Sequence, residues 1–100
     1  MVLTDVNDSS KTFKRSIDEN ETIIIGRVID KADWVIDYDQ AISSSQCKIQ
    51  LISGKLYITD DNSSNGTYID NIRINNKTEI KPGQLLKLGR PVFKVYLIKE

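Results

Sequence analysis

Apolar residues along this chain recur mostly with a period of two, in runs too short for helices. Val2 to Val6 alternates, and Thr12 to Ile17 follows the polar stretch Asn7-Asp8-Ser9-Ser10. Glu21-Thr22-Ile23-Ile24-Ile25 is β-branched and stops at Gly26, and Trp34-Val35-Ile36 is a short apolar run. Cys47 to Ile52 alternates, then Gly54 marks a turn into Lys55-Leu56-Tyr57-Ile58-Thr59. Thr67-Tyr68-Ile69, Arg73-Ile74, Gln84 to Leu88 and Val92 to Ile98 complete the series. Short runs rich in Ile, Val, Tyr and Thr, separated by turn residues, predict an all-β antiparallel sandwich or barrel. No window of a dozen residues carries a sustained helical stripe.

The punctuation agrees with the runs. Gly26, Gly54, Gly66, Gly83 and Gly89 fall at the ends of apolar runs or between them, where a β-protein needs tight turns or close approaches. Asp70-Asn71 lies between Tyr68-Ile69 and Ile72-Arg73-Ile74, and both residue types tolerate the left-handed region, so a hairpin is expected there. Pro82-Gly83 reads as a further turn. With no internal repeat, linker or low-complexity segment, residues 1–100 read as one domain, of the size expected for a module of a larger protein.

Composition narrows the chemistry. The chain has 14 basic and 14 acidic residues, so a broad positive field for duplex binding is missing, whereas a local anion site on one arginine and a few amides is still possible. There is one cysteine, Cys47, and no histidine, which removes intrachain disulfides, thiolate zinc sites and Ser-His or Cys-His pairs. Cys47 therefore reads as a buried small residue, Trp34 as core packing, and Asp60-Asp61 as turn chemistry and not a metal site. Neither a signal-peptide pattern at Met1-Val2-Leu3-Thr4-Asp5 nor a membrane-length apolar run is present, so the default setting is cytoplasmic. An enzyme, a cofactor, a metal, a nucleic-acid partner and a membrane contact are all unexpected.

Three polar, glycine-bearing stretches stand where loops belong. They are Ile25-Gly26-Arg27, Ile42-Ser43-Ser44-Ser45-Gln46, and Asp60-Asp61-Asn62-Ser63-Ser64-Asn65-Gly66-Thr67. Singly, each has a plain explanation: an arginine after a strand is ordinarily a solvated edge residue, a serine run a turn, and Asn-Gly a hairpin. Their order is what carries information. Gly26-Arg27, Asp33-Trp34-Val35-Ile36, Ile42-Ser43, Lys48-Ile49, Asp60 with Ser63 to Thr67, then Ile80, Gly83-Gln84 and Leu88-Gly89 resemble, in sequence, the motif series of the forkhead-associated (FHA) domain over about residues 20–98.

That resemblance implies an antiparallel β-sandwich of about eleven strands with binding loops at one end, reading phosphothreonine in a partner protein within Ser/Thr kinase signalling. By motif position it implies that Arg27, Ser43 and Ser64 contact the phosphate, with Ser44 beside them, and that Asn65 holds the peptide backbone. Gly26, Gln46, Gly66 and Thr67 would support those loops. The family pattern has Asn-Gly where this chain has Asp70-Asn71 and a closing Gly-Asp where it has Gly83-Gln84, changes expected to affect only turns. Two further departures fall in the binding loops, Gln46 where a histidine is usual and Ser44 where a basic residue is frequent. They keep open an alternative, a domain of the same fold that docks a partner without reading phosphate. A monomer is expected in either case.

Overall fold

A computed structural model of the chain describes residues 1–97. Eleven strands form two sheets and the described residues contain no helix: β1 Val2–Asp5, β2 Thr12–Lys14, β3 Thr22–Gly26, β4 Trp34–Val35, β5 Cys47–Ile52, β6 Lys55–Asp60, β7 Thr67–Ile69, β8 Ile72–Arg73, β9 Thr78–Ile80, β10 Leu85–Leu88 and β11 Val92–Tyr96. One sheet runs β2-β1-β11-β10-β7-β8 and the other β4-β3-β5-β6-β9.

Period-two patterning sends alternate residues inward from both sheets. Leu3, Phe93, Val95, Leu86 and Leu88 come from the first sheet, and Ile23, Ile25, Ile49, Leu56, Ile58 and Ile80 from the second; all are buried. Trp34 and Cys47 join this core, as their sequence context suggests. The expected turn at Asp70-Asn71 is present. Both residues take positive φ, 48° and 68°, and Ile69 pairs with Ile72 across a two-residue loop. The Asp70 carboxylate accepts from the Leu85 amide and from Gln84, contacts that hold its carboxyl below the usual carboxylate range. Pro82-Gly83 also turns, with the Gln84 amide donating to the Lys81 carbonyl at 3.1 Å.

The sequence reading needs four amendments. The arrangement is not wholly antiparallel, because β3 and β4 pair in parallel. The run Thr12 to Ile17 is strand only through Lys14, although Arg15 still pairs with Met1, donating its amide to the Met1 carbonyl at 3.0 Å and accepting the Met1 amino group at 2.8 Å. The eighth strand is Ile72–Arg73, one residue earlier than Arg73-Ile74, since the tight hairpin fixes its register. Strand β9, Thr78–Ile80, gave no sequence signal: three residues offer too little alternation, and it is recognised only by its pairing with β6. Ile98, the expected end of the last strand, lies outside the described residues.

Register also decides which loops share an end. Ile25 pairs with Cys47, Cys47 with Asp60, and Leu88 with Thr67. The connections after β3, before β5, between β6 and β7, and after β10 therefore emerge at one end of the sandwich. The motif residues lie on these connections.

The core sets two expectations. Phe93→Ala should lower stability by about 3–5 kcal/mol in urea unfolding, whereas Ile72→Ala, at a side chain 72% exposed, should stay within about 0.5 kcal/mol. Burial raises the Cys47 thiol well above its ordinary value, with Asp60 and Asp61 adding to the effect. Alkylation of the native protein at neutral pH should accordingly be negligible, and labelling should appear only once denaturant unfolds the chain.

Candidate functional site

Gly26 ends β3 against the loop that precedes β5. A methyl group on it would lie 2.0 Å from the Ser44 carbonyl oxygen, so only glycine allows the two backbones to meet this closely. The next residue, Arg27, donates its amide to the Ser43 carbonyl at 3.0 Å, and its Nε donates to the Ile42 carbonyl at 2.9 Å. Two contacts thus fix the base and the neck of the arginine. Its terminal nitrogens are left open to solvent, and among the described residues no carboxylate lies within 4.0 Å of the guanidinium.

Ser43 meets the second loop directly. Its Oγ accepts the Ser64 amide at 2.9 Å, which leaves its own proton free to donate outward. Ser64 is exposed, and Asn65 turns its side-chain Nδ2 to the Ala41 carbonyl at 3.1 Å. The structure therefore brings Arg27, Ser43, Ser64 and Asn65 together at one edge of the sandwich. Ser44 is half-buried beside them; its carbonyl packs on Gly26, and its hydroxyl makes no hydrogen bond among the described residues.

Beneath this edge lies Gln46, fully buried. Its Oε1 accepts the Ser43 amide at 2.9 Å, and its Nε2 donates to the Gly66 carbonyl at 2.9 Å and to Thr67 Oγ1 at 3.0 Å. One amide thereby joins the loop carrying Ser43 to the loop carrying Ser64. Its backbone is tied too, donating to Ile25 and accepting from Asp61. A carboxyl side chain could not do this work, because it lacks the paired donors.

The second loop is organised by Asp60. Its carboxylate accepts the Ser63 hydroxyl at 2.5 Å, the Ser63 amide at 3.1 Å and the Thr67 hydroxyl at 2.7 Å. Ser63 Oγ in turn accepts the Gly66 amide at 3.0 Å. Gly66 itself has φ of 89°, and an added methyl would meet Tyr68 and the Arg73 guanidinium at 3.0–3.2 Å. The acidic pair is turn chemistry, as its context suggests: Asp60 caps the loop, and Asp61 accepts the Ser45 hydroxyl and lies 3.8 Å from Lys48. No group of three or more potential metal ligands occurs among the described residues.

This geometry can be set beside known proteins. The FHA domain model matches residues 23–89. The chain belongs to the FHA domain family. Solved FHA domains share its fold: that of the CT664 protein from Chlamydia trachomatis superposes with a TM-score of 0.83 at 22% identity, covering 98% of this chain and 95% of that one. An FHA domain from work on phosphothreonine-dependent FHA interactions gives 0.79 at 24% identity, covering 99% and 97%. The FhaA FHA domain, complexed with the intracellular domain of Rv3910, gives 0.75 at 25% identity, covering 93% and 96%. No curated protein matches the sequence.

Against the family pattern, Gln46 occupies the histidine position, and its amide supplies one acceptor and two donors where a neutral imidazole has one of each. Two residues of this FHA domain's loop end, Asp39 and Arg90, have no place in the sequence reading, and Gly89 enters it only as a turn glycine closing the motif series. Asp39 accepts the Ala41 amide at 2.8 Å, Arg90 lies 3.9 Å from Asp39, and Gly89 packs against Ala41. Only Gly89 carried a signal, as the last glycine of the motif series; Asp39 and Arg90 become neighbours through the sheet register alone.

Gln46→Ala would leave the Ser43 amide and the Gly66 carbonyl without their side-chain partner in a buried place. Stability should fall by about 2–4 kcal/mol in urea unfolding. Gln46→His, which can satisfy two of the three contacts, should lose less. Equal stability of Gln46→Ala and the parent would show that the amide is not a structural tie.

Proposed function

We propose that this FHA domain binds phosphothreonine in an extended segment of a partner protein, through Arg27, Ser43 and Ser64, with Ser44 at the margin and Asn65 holding the peptide backbone. The observation that carries this reading is the Arg27 guanidinium: anchored at its neck, free of any carboxylate among the described residues, and set on the loop whose Ser43 hydroxyl has a proton to give. FHA domains are recognition modules, and solved relatives include the Mycobacterium tuberculosis protein EmbR in complex with a low affinity phosphopeptide, a quarter of whose chain is covered by the match.

The chemistry suits a phosphate dianion. Arginine presents a planar fork of donors, and hydroxyls add directional donors without charge. Each charge-assisted bond contributes about 1.5–3 kcal/mol. Three or four of them, less the cost of ordering a peptide, correspond to micromolar affinity, near −8 kcal/mol. The loops are tied through Gln46, Asp60 and Ser63 before any ligand arrives, which keeps that ordering cost on the peptide side.

The phosphate-independent reading rests on Ser44 and Gln46. The Gln46 contacts weaken it, because the glutamine joins the two loops without a histidine.

Calorimetric titration with matched peptides carrying Thr, phosphoserine and phosphothreonine tests the proposal. Phosphothreonine should bind in the micromolar range, and Arg27→Ala should weaken it at least tenfold. Equal binding by the variant, or equal binding of the unphosphorylated peptide, would overturn it. Because the chain contains no histidine, the pH dependence should follow the ligand. The phosphate takes up its second proton near pH 6, so affinity should be steady above about pH 7 and fall as pH drops to 5.

A further inference from the structure

Ala41 is a meeting point at the loop end. Its amide donates to Asp39 Oδ1 at 2.8 Å, and its carbonyl accepts Asn65 Nδ2 at 3.1 Å. Gly89 lies so close to that carbonyl that an added methyl would come within 2.1 Å of its oxygen. The Gly89 amide also donates to the Gly66 carbonyl at 3.1 Å, so the turn after β10 is fastened to both recognition loops. The residue that follows this glycine is Arg90.

The Arg90 side chain is 74% exposed and points its Nε toward Asp39 Oδ1 at 3.9 Å, with the Asp39 side chain 18% exposed. An ion pair this long and this open to water is weak and screened by salt. Asp39 has a nearer partner in the Ala41 amide, so the guanidinium keeps most of its donors free. Arg27 grips the other side of the same loop, through Ile42 and Ser43. Two arginines thus bracket residues 39–43, with Asn65 between them. Two further cations lie near the loop end: Lys48, 3.8 Å from Asp61, and Arg73, whose guanidinium borders Gly66.

We propose that Arg90 selects an acidic side chain flanking the phosphothreonine. This rests on the phosphothreonine reading and deepens it: phosphate at Arg27, peptide backbone at Asn65, and an aspartate or glutamate of the ligand at Arg90. The weak contact with Asp39 in the free protein gives way to the ligand's carboxylate. Ala41 and Ser43 are at most about 7 Å apart along the chain, and an arginine side chain reaches about as far again. An extended peptide advances about 3.3 Å per residue, so the acidic position lies within about four residues of the phosphothreonine.

The test uses phosphothreonine peptides with one position at a time, up to four residues to either side, set to Asp, Ala or Lys. At one position the unmodified domain should bind the Asp peptide about three- to fivefold more tightly than the Ala peptide, and the Lys peptide more weakly than either. Arg90→Ala should close the gap between the Asp and Ala peptides, and Arg90→Glu should invert the order in favour of Lys. Phosphothreonine alone should bind the parent and Arg90→Ala equally. Arg90 is exposed, so thermal melts of both variants should match the parent. No acidic preference at any position, or one that survives Arg90→Ala, would overturn the inference while leaving phosphothreonine recognition intact. Failure of the unmodified domain to bind any of the phosphopeptides would overturn both together.

Discussion

A single buried amide decides whether this sandwich end is a site or merely a set of loops. Loops have no ladder to satisfy their backbone groups, and whatever replaces the ladder sets their shape. Here the replacement is Gln46, whose one acceptor and two donors are spent on Ser43, Gly66 and Thr67. Removing water from an amide is costly unless each polar atom finds a partner, so a fully paired glutamine tolerates very few loop geometries. The contact between Ser43 and the Ser64 amide follows from that restriction. The Arg27 anchor on Ile42 follows as well, because the loop it grips is held from below.

The electrostatic design is local. Formal charges cancel across the chain, and the loop end draws on few ions. Asp60 is spent internally on Ser63 and Thr67, and Asp61 on Ser45 and Lys48. Arg27 and Arg90 retain donors. Separate cations among neutral hydroxyls suit discrete anions presented by a peptide, and suit a long polyanion poorly, since that would require a continuous positive face. Close glycine contacts at positions 26 and 89 give the loops their spacing, and side-chain capping gives them their stiffness.

How much of this was legible depended on the range of each signal. Strand character is local, so the alternating runs from Val2 to Tyr96 could be read from the sequence, and the Asp70-Asn71 hairpin announced itself through residue type. The three-residue strand Thr78–Ile80 did not, because its strand identity comes from pairing with β6. Nor did the parallel pairing of Trp34–Val35 with β3, which depends on where the seven-residue connection 27–33 returns. The convergence of Gly26-Arg27, Ser43 and Ser64-Asn65 was expected through resemblance to a motif series, not through any physical signal in the separate stretches. The roles of Asp39 and Arg90 were invisible for a different reason: two ordinary charged residues, far apart in sequence, gain meaning only when register brings their turns to one carbonyl, that of Ala41.

The claim underlying the rest is that the Gln46 amide is locked between the two loops in the unliganded protein. Hydrogen exchange of its Nε2 protons, followed by NMR on the free domain, addresses this directly. The account predicts slow exchange, with protection comparable to the central amides of β3 and β5. Exchange at the rate of a solvent-exposed glutamine would mean that the loops are not stitched together, and the convergence of Arg27, Ser43 and Ser64 would lose its physical cause.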